Sequence, residues 1–168
     1  MARSRDFINA LDLLTEQHAE LDRLFKLIES KRGNRRAAVV ELADKLAAHT
    51  TIEEKLFYPC IMSEETRRLL HESFEEHLAI KRVLADMRTM DLDADELDHK
   101  ISVLRKQVSY HAHQEEEAKL FPTVHKAMHA NELAVLGNEL IVMFEHLMAA
   151  EPCKLVPGQP AEAARLPA

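Results

Sequence analysis

The stretch His49-Thr50-Thr51-Ile52-Glu53-Glu54-Lys55-Leu56-Phe57-Tyr58-Pro59 decides how this chain is read. His49 and Glu53 are four residues apart, in line with Leu42, Leu46 and Leu56. In an α-helix, positions four apart differ by about 40° around the axis and about 6 Å along it. Both polar side chains therefore share the apolar face and point toward whatever the helix packs on. A carboxylate buried there alone is costly, so compensating groups must come from elsewhere in the chain.

Such groups recur. Glu16-Gln17-His18-Ala19-Glu20-Leu21-Asp22-Arg23-Leu24-Phe25 is echoed by Glu75-Glu76-His77-Leu78-Ala79-Ile80-Lys81-Arg82-Val83-Leu84. His18 lies on an apolar stripe between Leu14 and Leu21, and His77 lies between Phe74 and Ile80. The opening stretch itself is echoed by His111-Ala112-His113-Gln114-Glu115-Glu116-Glu117 and, after it, Leu120-Phe121-Pro122. Two His-x-x-x-Glu pairs interleave there on nearly opposite faces. Leu97, Ile101, Leu104 and Val108 run into His111 and Glu115, whereas Ser102, Lys106 and Ser109 lead to His113. Downstream, Leu120 and Phe121 favour His113 and Glu117 instead. His111 with Glu115 is the preferred pair and His113 with Glu117 the alternative; a π-bulge can absorb the one-residue shift. Glu54, Glu116 and Glu117 read as a solvated face, and Tyr58 and Tyr110 as ordinary helix packing.

Apolar spacing predicts five helices, over about 6–30, 35–60, 63–90, 93–121 and 131–148. Gly33-Asn34 supplies one stop, Pro59 and Pro122 mark ends or kinks, and Ser63 with Glu64 and Glu65 resembles a helix start. The repeat implies an all-α, up-down antiparallel four-helix bundle with approximate two-fold symmetry and an additional C-terminal helix. Residues 1–150 are expected to form this one domain. Residues 151–168, with Pro152, Pro157, Pro160 and Pro167, are expected to be a disordered tail.

Four inward histidines and two inward glutamates are most simply compensated by metal. Nitrogen and oxygen donors without cysteine suit Fe, Mn or Zn. Counting suggests two ions: two imidazoles for each, both carboxylates shared, and a bridging oxo or hydroxo group, with a position left open. The expected ligands are His18, His49, Glu53, His77, His111 and Glu115.

This series resembles the hemerythrin-like, or HHE cation-binding, domains over about residues 8–130. The resemblance implies a four-helix bundle holding a non-haem pair of iron ions that reacts with O2, peroxide or NO. The oxygen-carrying hemerythrins of invertebrates use five histidines, a glutamate and an aspartate; this sequence supplies four histidines and two glutamates. It is closer to the bacterial proteins linked to peroxide removal, redox sensing or nitrosative stress. It also resembles the metal domain of iron-cluster repair proteins, without their cysteine-bearing N-terminal domain.

Composition narrows the rest. The 168 residues carry a formal charge of -7 and 10 His. The acidic balance argues against nucleic-acid binding, and no apolar run approaches a membrane span. Cys60 and Cys153 lack metal-ligand spacing and read as reduced thiols of a cytoplasmic protein. His71, His99, His125, His129 and His146 read as surface or helix-end residues. Three functional classes remain: a protein that senses, stores or scavenges O2, peroxide or NO; a peroxide-disproportionating enzyme; and an iron-dependent regulator that contacts a protein partner.

Overall fold

The computed structural model describes residues 8–91, 95–157 and 162–165. Among them there are helices and turns but no strand. Five rods form. α1 is Ala10–Glu29. α2 spans 35–61: an α-helix Arg35–Ile52, a π-helical stretch Glu53–Phe57 and a last turn Tyr58–Ile61. α3 is Arg67–Met87. α4 spans 95–127: an α-helix Asp95–Ser109, a π-helical stretch Tyr110–Leu120 and an α-helix Phe121–Ala127. α5 is Ala130–Ala149. The expected helix starts near Asp6 and Asp93 lie outside the described residues.

Caps explain several boundaries. The Asn9 side chain accepts from the amides of Leu11 and Asp12, and Asn34 accepts from Ala37. Gly33, with φ +70°, makes the turn before α2 at no steric cost. α3 starts later than Ser63, at Arg67, because residues 63–66 close a turn first. There the Ser63 amide donates to Thr66 Oγ1, whose hydroxyl donates to the Ile61 carbonyl at 2.8 Å. Pro59 and Pro122 end neither α2 nor α4. Each follows an aromatic residue whose amide reaches back five residues, Tyr58 to Glu53 and Phe121 to Glu116. The wider π turn lets the rod pass a proline that has no amide to donate.

The rods share two apolar clusters. One contains Leu21, Phe25, Leu42, Leu46, Ile80, Leu84, Ile101 and Leu104. The other contains Leu14, Phe57, Ile61, Leu70, Phe74, Phe121, Val124, Leu136 and Leu140. Along α1 and α3 the second cluster comes first in sequence; along α2 and α4 the order is reversed. The buried polar residues His18, His49, Glu53, His77, His111 and Glu116 fall between the two on all four rods.

α5 closes the second cluster with Leu133, Leu136 and Leu140. Gly137 lets it come close to the chain before α1: a Cβ there would sit 2.2 Å from the Ile8 carbonyl oxygen and 2.9 Å from the Ala10 nitrogen. Both neighbours are backbone, so Gly137→Ala should force the two elements apart and cost about 2 kcal/mol or more. Chemical denaturation of wild type and variant will read this as a lowered midpoint.

Residues 152–156 are packed, although their composition suggested a disordered tail. Pro152–Leu155 is a 3-10 turn, and Cys153 and Val156 are buried against the first cluster. The Cys153 amide donates to Asp44 Oδ1 (2.9 Å), and Arg88 donates to the Val156 carbonyl (2.5 Å). Residues 158–161 and 166–168 of the expected tail lie outside the described residues.

Candidate metal centre

Two groups of donors meet in the layer between the apolar clusters. His18, His49, Glu53 and Glu116 form one, and Glu53, His77 and His111 form the other; within each, donor atoms lie within 4.8 Å of one another. All six residues are buried. Glu53 belongs to both groups, and Glu116 Oε2 also lies 3.6 Å from His111 Nε2. No other group of this kind occurs among the described residues.

The ring orientations are set from outside. Each histidine directs Nδ1 outward to an oxygen acceptor: His18 to Glu117 Oε1 (2.7 Å), His49 to Gln17 Oε1 (2.7 Å), His77 to Glu54 Oε1 (3.0 Å) and His111 to Glu76 Oε2 (2.7 Å). Placing the ring proton on Nδ1 leaves the lone pair on Nε2, which faces inward in all four. The rings are further held by stacking, His18 on Phe121 and His77 on Tyr58.

The inward atoms fit a cation. His18 Nε2, His49 Nε2, Glu53 Oε1 and Oε2, and Glu116 Oε2 are buried without a hydrogen-bond partner. His77 Nε2 and His111 Nε2 stand 3.0 Å apart, so two lone pairs oppose each other unless a proton or a metal lies between. A layer of unsatisfied acceptors with outward-facing donors is a set that could hold a metal ion.

The electrostatics of the cluster point the same way. Burial pulls His18 down, but the carboxylates of Glu116, 3.2 Å from its Nε2, and of Glu117, on its Nδ1, outweigh it and raise its pKa to about 9. Burial dominates at His49 and lowers it to about 3, against the pull of Glu53. His111 is raised well above its usual value, because Glu116, Glu53 and Glu76 outweigh burial. Without metal, these side chains compensate one another through protons.

Five of the six residues expected from sequence are brought together: His18, His49, Glu53, His77 and His111. Glu115 is not. Its Oε1 accepts from the Tyr110 hydroxyl (2.7 Å) and from Lys119 (2.6 Å), away from the cluster. Glu116 takes that place, because the π-helical stretch Tyr110–Leu120 delays the return of the inward face by one residue. The alternative pair stands outside the centre: Glu117 braces His18, and His113 lies between Glu117 Oε2 (2.9 Å) and Asp22 Oδ2 (3.0 Å). A usable signal existed: Glu53 is six residues before Pro59, and Glu116 is six before Pro122.

Tyr58, expected among packing residues, and Glu54, expected on the solvent face, both reach groups of the cluster. Tyr58 is fully buried, with its hydroxyl 2.9 Å from Glu116 Oε1 and 3.2 Å from His77 Nε2. Burial, then Glu116 and Glu53, hold its pKa well above the usual value, so the phenol stays protonated. Glu54 accepts from His77 and pairs through both oxygens with Lys81 at 2.6 Å. Tyr110 lies at the surface, as do His71, His99, His125, His129 and His146. No helix among the described residues is long and apolar enough to cross a membrane.

Comparison with known proteins agrees with this geometry. Curated protein sequences give no match. Among solved structures, a hemerythrin HHE cation binding domain-containing protein from Mycobacterium kansasii is similar in fold. Its TM-score is 0.73 at 23% identity, over 85% of this chain and 89% of that one. The family model described as the hemerythrin HHE cation binding domain matches residues 9–124, the span that supplies every donor of the cluster. This chain belongs to the hemerythrin HHE cation-binding domain family.

Proposed function

We propose that this protein holds two iron ions in an up-down bundle of α1 to α4 and uses them to bind or react with O2, peroxide or NO. The observation that carries this reading is the set of five buried donor atoms without partners, each aimed at one layer. His18 and His49 would hold one ion and His77 and His111 the other, with Glu53 and Glu116 shared between them. Such a pair supplies the electrons and an open position for a small oxidant. The surrounding side chains do the remaining work. The four outer acceptors fix the imidazoles in one tautomer, and the apolar clusters above and below limit water. Iron analysis together with an optical spectrum is the direct test. Two iron per chain and a charge-transfer band in air are expected; an iron-free protein after expression with added iron would remove the proposal.

A second reading, peroxide disproportionation, is favoured by Tyr58. Its phenol is a buried proton donor hydrogen-bonded to Glu116, at the layer where peroxide would meet the ions. Cleaving an O–O bond calls for a proton at the departing oxygen. Tyr58→Phe should keep the iron content and lower oxygen evolution from peroxide by about 100-fold. Equal rates in the two proteins would leave the phenol a purely structural part.

A further inference from the structure

The two halves of the centre are built from a repeat, and the repeat is broken at one place that matters. Gln17 precedes His18 as Glu76 precedes His77. Each reaches across to the histidine of the neighbouring rod: Gln17 Oε1 accepts from His49 Nδ1, and Glu76 Oε2 accepts from His111 Nδ1, both at 2.7 Å. The geometry is the same and the charge differs, a neutral amide in one half and a carboxylate in the other.

The remaining outer partners balance. His18 leans on Glu117, which is shared with His113. His77 leans on Glu54, which is shared with Lys81. Each half thus has one carboxylate already engaged by a nitrogen donor. Among the four outer acceptors, the difference in charge that remains is Gln17 against Glu76.

That difference acts on metal affinity. An imidazole whose N–H is held by a carboxylate is a stronger donor than one held by an amide, and outer partners of this kind change affinity by roughly 10- to 100-fold. The Gln17 half also borders a cavity. It has a volume of about 630 Å3 and lies among α1, α2 and α5, with Leu13, Leu21, Ile141 and Phe144 on its walls and Gln17 and His49 in its lining.

We propose that the His18–His49 position is the labile half of the centre, holding its ion more weakly than the His77–His111 position and exchanging it through the α1–α2–α5 cleft, with Gln17 as the residue that sets the difference. Gln17 is a positioning residue here, because it acts only through His49. The inference rests on the two-ion reading above and adds an order of filling to it.

The test is equilibrium metal content. Cobalt(II)-loaded protein is dialysed against a series of chelator-buffered cobalt(II) concentrations, and bound cobalt per chain is measured with its visible spectrum. Two steps separated by about tenfold or more in free cobalt are expected. Gln17→Glu should tighten the weaker step and bring the two together. Glu76→Gln should weaken the tighter step and leave the other in place. Two equal steps in the wild type, or a weaker step that Gln17→Glu does not move, would overturn the inference while leaving the two-ion centre standing. A plateau at one cobalt per chain would overturn the two-ion reading, and this inference with it.

Discussion

Glu116→Gln should reduce bound iron from two ions per chain to one or none, whereas the neighbouring Glu115→Gln should leave it at two. Glu116 is fully buried, its Oε2 has no hydrogen-bond partner, and it faces both His18 and His111. A glutamine there keeps the volume but removes the charge that two cations would share. Glu115 instead meets Tyr110 and an exposed Lys119, an interaction worth about 1 kcal/mol or less. Elemental analysis of the two variants side by side reads the difference, and circular dichroism shows whether each is folded. Retention of two ions by Glu116→Gln, or their loss from Glu115→Gln, would return the fourth-rod ligand to the residue that a regular 3.6-residue period selects.

The second large effect concerns pH. In the metal-free protein, His18 titrates at about 9 instead of 6.5. A histidine whose pKa is raised by folding stabilises the native state fully below its unfolded pKa. That contribution is lost as the pH rises through the folded value. The loss from His18 alone is roughly 3 kcal/mol between pH 6.5 and 9. His111, raised for similar reasons, acts in the same direction. His49 has the opposite sign: its pKa is lowered to about 3, so the metal-free fold also weakens as pH falls below 6.5. Metal reverses the alkaline trend, because ligands bind it deprotonated and affinity grows with pH. Urea denaturation with and without chelator should therefore show little separation at pH 6.5 and a wide one at pH 9. A metal-free protein equally stable at both values would mean that these histidines do not exchange protons for metal.

These two expectations mark what could and could not be read from the chain. The rods were legible because Leu14, His18 and Leu21, or Leu46, His49 and Glu53, repeat with the period of an α-helix. Five inward residues followed directly from that period. Glu116 did not, since the period itself changes over Tyr110–Leu120 and a regular helix points Glu115 inward instead. The prolines were the better ruler, because both sit at the same distance past an inward carboxylate. The outer acceptors Gln17, Glu54, Glu76 and Glu117 were illegible for another reason. Each is adjacent in sequence to an inward residue but bonds to a histidine on a different rod. Only the packed arrangement shows those pairings. Composition misled at 152–156, where the prolines of the wider segment 151–168 outweighed two apolar anchors, Cys153 and Val156.

Those anchors carry a practical warning for anyone shortening the gene. Cutting after Ala150 looks harmless on paper, yet it would strip away Cys153 and Val156, leave Asp44 and Arg88 without the backbone groups they now engage, and wet the Leu42 and Leu84 end of the bundle. Such a trimmed protein would start life less sturdy before any question about its metal was asked. Ending instead beyond Pro157 keeps the clasp shut.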